Sequence, residues 1–254
     1  MSGRDNVSFK VNILGVKVDK VNVAQASDII MEYIKAKDKP ASVFTPNSEI
    51  IMMGYRDEEF RNILNSSELL TADGIGVVYA SRIVKNPISE RCAGYDIACA
   101  VLEKLAKTGG SVYLFGSKPG VAESAGKNIT EKYPGVKIAG YSDGYFNEEK
   151  EKTIISNIQR SNPDLVFVCL GAPKQERWID VHRNELPNAV YMGIGGSLDV
   201  FAGNVKRAPE FFTKHGIEWL YRLCKQPSRF VRMLELPRFG FKVLLKGRKF
   251  PQEK

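Results

Sequence analysis

Apolar and β-branched runs recur along the first four-fifths of the chain, at 11–16, 42–44, 69–71, 111–115, 137–140, 165–170 and 189–194. Each is short and flanked by polar or glycine residues, the pattern of strands buried in a sheet. Between them apolar residues return at three-to-four spacing over 23–34, 60–64, 97–105, 121–133 and 150–158, predicting helices. Strands alternating with helices argue for βαβ units and a mainly parallel, Rossmann-like α/β sheet. In such sheets ligands bind outside the carboxyl ends of the strands. From Ala208 the alternation stops. Phe211, Phe212, Ile217, Trp219, Leu220, Leu223, Phe230, Val231, Met233 and Leu234 interleave with Lys214, Arg222, Lys225, Arg229 and Arg232. Pro227 and Pro237 are expected to break this stretch into short helices. The chain therefore divides into an α/β core, 1–204, and a basic, aromatic, helical appendage, 205–254.

Charge sharpens that division. The net charge is +8, yet 205–254 holds 13 Lys and Arg against 4 Asp and Glu, so the whole excess lies in the last fifth. A basic block interleaved with aromatic residues fits an anionic membrane surface better than duplex nucleic acid. The 254 residues suffice for a full core, and their 43% hydrophobic content is that of a globular protein. Residues 1–12 are polar, unlike a signal peptide, and no run reaches the roughly 18 apolar residues that span a bilayer. Cys92, Cys99, Cys169 and Cys224 form no CxxC pair, and His182 and His215 are the sole histidines. Zinc sites and disulfides are thus not expected, and the compartment is read as the reducing cytoplasm.

Chemistry gathers at the predicted strand ends. Thr45, Asn47 and Ser48 follow the second strand, where they can meet a ligand or cap the next helix. Asp73 follows the third, in Ala72-Asp73-Gly74, a turn that also aims a carboxylate at a cleft. Gly116 and Gly120 open a helix and leave backbone N–H groups within reach of a phosphate or ribose. Gly171-Ala172-Pro173-Lys174-Gln175-Glu176 and Gly193-Ile194-Gly195-Gly196-Ser197 close two further strands. Absences discriminate as well. There is no DxD pair for a metal on a sugar nucleotide, no GxSxG, and the first strand carries one glycine in place of the GxGxxG of nicotinamide enzymes.

These loops resemble the WecG/TagA/CpsF family of glycosyltransferases, as do the 193–203 stretch, Arg207-Ala208-Pro209 and the 216–223 segment Gly-Ile-Glu-Trp-Leu-Tyr-Arg-Leu. The likeness runs in order from about residue 11 to 232. It implies an inverting transferase that uses neither metal nor other cofactor, with a UDP-sugar donor and a polyprenyl-diphosphate-linked acceptor. Within the family the chain resembles the branch that moves N-acetylmannosamine onto undecaprenyl-diphosphate-GlcNAc for the linkage unit of wall teichoic acid; other branches transfer ManNAc-uronate or other sugars. The resemblance assigns Asp73 as general base. It places Thr45, Asn47, Arg91 and Gln175 in the substrate pocket, and has Arg222, Arg229 and Arg232 close over the site to meet the diphosphate. Gly196-Ser197 departs from the family, where Ala with a bulkier neighbour is common. A protein peripheral on the inner face of the membrane, and oligomeric away from it, is the corresponding expectation.

Overall fold

The structure, a computed structural model, describes residues 10–206, 208, 209, 212, 221 and 234–252. Six strands form one parallel sheet: β3 (Ala41–Phe44), β4 (Leu69–Leu70), β5 (Ser111–Gly116), β6 (Lys137–Ser142), β7 (Leu165–Cys169) and β8 (Val190–Gly193). Their spatial order is β4-β3-β8-β7-β5-β6, and every neighbouring pair is parallel, so all six carboxyl ends share one edge. The α/β, Rossmann-like expectation is met.

Burial on both faces explains why the strands read as continuous apolar runs. Side chains alternate between two cores: Tyr113, Phe115, Val166, Val168 and Tyr191 enter one, while Val112, Leu114, Leu165, Phe167, Val190 and Met192 enter the other. Helices α1 (Val23–Ala36), α5 (Gly94–Thr108), α6 (Val121–Lys132) and α9 (Ser197–Phe201) cover the second core. Helices α2 (Ser48–Arg56), α3 (Glu58–Asn65), α4 (Ile75–Ile83), α7 (Glu148–Ser161) and α8 (Lys174–His182) cover the first. Local chemistry sets their starts. Asn22 and Gln25 form a reciprocal capping box on α1, and Asp57 and Asn147 accept the N–H of Phe60 and Lys150 to cap α3 and α7.

Two elements differ from the sequence pattern. The 11–16 run is not one strand of the main sheet. It splits into β1 (Lys10–Ile13) and β2 (Val16–Asp19), an antiparallel hairpin outside that sheet. Leu14 and Gly15 both take positive φ (55° and 95°), as a two-residue hairpin turn requires, and the Gly15 N–H donates to Asn12 Oδ1 at 2.9 Å. Pro237 opens a helix rather than breaking one. It lies in the first turn of α10 (Glu235–Lys246), where its missing N–H costs nothing. A short 3₁₀ turn, Gly247–Lys249, follows.

Helix α10 seats Phe239 and Val243 in the first core. Beyond it, Gln252 is laced to the N-terminal hairpin. Its Nε2 donates to Asn12 O (2.9 Å) while its Oε1 accepts from Asn12 N (3.0 Å). The 235–252 segment thus packs on the body of the protein.

Candidate active site

Two groups of residues line the common edge. The first surrounds the ends of β3, β4 and β8. Thr45 is buried and donates from Oγ1 to Gly193 O at 3.4 Å. Gly94, at the start of α5, closes against it: a Cβ there would lie 2.7 Å from Thr45 Oγ1, so only glycine permits the approach. Asn47 is exposed and caps α2, its Oδ1 accepting from Ile50 N at 3.0 Å. The capping role foreseen as an alternative for this loop is therefore real for Asn47. Asp73 is half-buried, and its N–H donates to Pro46 O at 3.1 Å, which draws the Ala-Asp-Gly turn against the β3 loop. Arg91 joins from the other side. Cys92 N donates to Ala72 O at 2.8 Å, so Arg91 and Asp73 leave adjoining backbone, and Arg91 Nη2 pairs with Asp96 Oδ2 at 3.2 Å.

Electrostatics mark this half as acidic. Burial, opposed by a hydrogen bond with Thr71 and reinforced by the charges of Asp73, Glu90 and Asp96, pushes the Cys92 thiol up to about 12. A neutral thiol at this position serves packing and not nucleophilic chemistry.

Gln175, in the first turn of α8, is also buried here. Its Oε1 accepts from Gly195 N (3.0 Å) and its Nε2 donates to Glu176 Oε1 (2.8 Å). Gly196 caps α9 with open space where a side chain would be.

The second group lies across β8 and β7, at the ends of β5, β6 and β7. Ser117, Lys118, Gly144, Tyr145, Cys169, Leu170 and Asp199 line a cavity of about 300 Å³. Through Gly144 and Tyr145 it adjoins a more open groove of about 600 Å³ that reaches Lys150 and Lys174. These sizes suit a small-molecule ligand. Gly116 makes the cavity possible: at φ 130° a Cβ would lie 2.3 Å from Cys169 O, so the loop can turn sharply over β7 only with glycine. Ser117 Oγ donates to Asp199 Oδ2 at 2.8 Å and bridges the loop after β5 to the first turn of α9. Lys150 Nζ grips both Asp143 oxygens (3.0 and 2.8 Å), and Lys174 Nζ sits 4.0 Å over the Phe146 ring, holding the wall of the groove. Burial would raise the Asp143 carboxyl, but hydrogen bonds from Lys150 and Tyr145 N, with the Lys150 charge, hold it below the usual range.

Of the residues anticipated from sequence, Thr45, Asn47, Asp73, Arg91, Gln175 and Gly196 thus gather around the ends of β3, β4 and β8. Gly116 and Gly120 belong to the second group, where Gly120 caps α6 in the left-handed conformation. Arg222, Arg229 and Arg232 lie outside the described residues. Asp96, Tyr145, Asp199 and Glu176 carry no role in the sequence reading. Asp143-Gly144 directly after β6 is the turn signal that points to Tyr145. Among the described residues no three His, Cys, Asp or Glu side chains group so as to hold a metal ion.

The sheet edge thus carries a half-buried strand-end carboxylate, Asp73, and, farther along, the Ser117–Asp199 cavity. The model of the glycosyl transferase WecG/TagA/CpsF family matches residues 11–253. The chain belongs to that family. Its relatives include N-acetylglucosaminyldiphosphoundecaprenol N-acetyl-β-D-mannosaminyltransferases. That of Bacillus subtilis (strain 168) is 42% identical over 205 residues, covering 80% of this chain and 79% of the relative. That of Staphylococcus aureus (strain MW2) is 35% identical over 247 residues, covering 96% of each. The glycosyltransferase resemblance seen in the strand-end loops is borne out, and it extends through α10 to the last described residues.

Proposed function

We propose that this family member moves N-acetylmannosamine from UDP-ManNAc to the GlcNAc of an undecaprenyl-diphosphate acceptor, with inversion and without a metal. The observation that carries this is the pairing, on one sheet edge, of the Asp73 half-cleft with the Ser117–Asp199 cavity. The cavity takes the nucleotide. Asp199 suits ribose hydroxyls, which a carboxylate accepts well, and Tyr145 offers a ring face to the base. Lys118 and the 116–120 backbone then lie on the diphosphate side. In the transfer the acceptor hydroxyl oxygen attacks the sugar's anomeric carbon, the bond from that carbon to the UDP oxygen breaks, and the hydroxyl proton passes to the Asp73 carboxylate. Thr45, Asn47, Arg91 and Gln175 hold the reactants in line. Arg222, Arg229 and Arg232 are assigned to the charge that develops on the departing diphosphate, with guanidinium forks matched to phosphate oxygens.

The acceptor's lipid requires access to a bilayer. Among the described residues no helix is long and apolar enough to cross one. Helix α10 instead exposes Phe241, Leu244 and Leu245 (64, 65 and 59% exposed) beside Lys242, Lys246, Arg248 and Lys249. Apolar and basic groups together support peripheral attachment to the anionic inner face of the membrane. Calorimetric titration with UDP tests the nucleotide seat: Asp199→Ala and Tyr145→Ala each weaken binding about tenfold, the worth of one good hydrogen bond or stacking contact. Unchanged affinity in both variants would move the donor elsewhere.

A further inference from the structure

Glu176 is the third residue of α8, directly after Gln175, and it is 1% exposed. Its Oε1 accepts the Gln175 Nε2 hydrogen bond at 2.8 Å, while its buried Oε2 meets no partner among the described residues. Burial, partly countered by hydrogen bonds from Gln175 and from its own backbone N–H, pushes this carboxyl up to about 7. Fold stability does not call for such a group, since a buried acid with one idle oxygen is less favourable than an apolar side chain of the same shape. What the group does accomplish is geometric. A glutamine amide has two faces that differ only in O and N, and each contact selects one of them. Gly195 N–H requires the oxygen on its side, at 3.0 Å, and the Glu176 carboxyl requires the nitrogen on the other. Together they fix the Gln175 orientation and leave it one N–H and one lone pair to present. Gly193 packs tightly here too, since a Cβ on it would lie 3.1 Å from Gln175 Nε2.

We propose that Glu176 is a positioning residue for the transfer: it fixes the Gln175 side-chain amide, and through it the 193–196 turn that joins β8 to α9 at the cleft. The inference rests on the function proposed above in taking Gln175 to face the reactants. Glu176 touches neither substrate in this role. It acts by holding another group within the tolerance that in-line transfer demands.

The test uses the full chain carrying Glu176→Met, Glu176→Gln, Gln175→Ala and the double change Gln175→Ala with Glu176→Met. Glu176→Met keeps the length of the side chain and removes the carboxyl acceptor. It should melt close to the parent yet lose about 10- to 100-fold in kcat, the scale of a small misplacement in a transfer site. Glu176→Gln retains an acceptor oxygen and should recover most of that loss. In the double variant the Met change should add nothing to the loss from Gln175→Ala, because it acts only through that side chain. Should Glu176→Met not fold, Glu176→Ala, which adds no bulk, carries the same expectations. Independently of turnover, hydrogen exchange at the Gly195 amide should quicken about tenfold in Glu176→Met and stay near the parent rate in Glu176→Gln, as expected when an acceptor loses its anchor. Full rate in Glu176→Met, a loss additive with Gln175→Ala, or unchanged Gly195 exchange would each overturn the proposal. Absence of sugar transfer by the parent protein would defeat the proposed function instead, and the Gly195 exchange would still decide on Glu176.

Discussion

The buried Glu176 carboxyl makes a prediction about stability that needs no substrate. Its ordinary value of 4.5 in the unfolded chain rises to about 7 in the folded one. Between those two values the folded state holds more of a proton than the unfolded state, so this group's contribution to stability is fully present below pH 4.5 and is lost as pH rises through 7. At 1.36 kcal/mol for each unit, the shift corresponds to about 3 kcal/mol, most of it gone by pH 8. Glu176→Gln has the same shape and cannot ionise, so it lacks this slope. Urea unfolding of both proteins at pH 5, 6, 7 and 8 measures it directly. The variant should gain on the parent by about 2–3 kcal/mol between pH 5 and 8, with unchanged denaturant sensitivity. Staying at or above pH 5 keeps the lowered carboxyls out of the window. Asp164 is one of these: burial opposes the shift, but Lys37 and Ser111 hold it down, so its contribution fades only at more acid pH. Parallel stability curves for the two proteins would show that Glu176 is not held neutral, and the reasoning from burial would fail.

Three other changes test separate parts of the structure. Asp73→Asn should lower turnover about 100- to 10,000-fold, the usual loss for a general base, with UDP binding unchanged by calorimetry. Gly116→Ala must place a Cβ 2.3 Å from Cys169 O at φ 130°; thermal melts should show a cost of about 1–3 kcal/mol or more, and UDP affinity should fall with it. Phe239→Ala empties a core position that is 2% exposed, so urea unfolding should report a loss of about 3–5 kcal/mol, unlike the neighbouring exposed Phe241→Ala.

Much of this fold was legible because the sheet is buried on both faces. Runs such as Leu165–Cys169 and 112–116 are then almost entirely apolar and stand out between polar helices. Strand β2 was not legible. Val16–Asp19 is only four residues long, and its turn uses Leu14-Gly15 rather than the Asn-Gly or Asp-Gly that mark hairpins. Helix α4 was hidden because it begins directly behind Asp73-Gly74, with apolar residues all round its first turns. In the site, Thr45, Asp73 and Gln175 were readable as polar residues where a buried strand stops. The Asp143–Lys150 clamp and the Lys174–Phe146 contact were not, since they join segments that only the folded sheet brings together. Glu176 is the clearest such case. In sequence it is one more charge at a helix start, and its burial and its bond to Gln175 exist only in three dimensions.

The central claim is tested most directly by incubating the full chain with radiolabelled UDP-ManNAc and a short-chain polyprenyl-diphosphate-GlcNAc in the presence of EDTA, and following both the labelled lipid and the UDP released. One disaccharide-lipid should form for each UDP, with inverted anomeric configuration and no dependence on added Mg²⁺ or Mn²⁺. A strict metal requirement, retention of configuration, or transfer from another UDP-sugar in preference to UDP-ManNAc would contradict it.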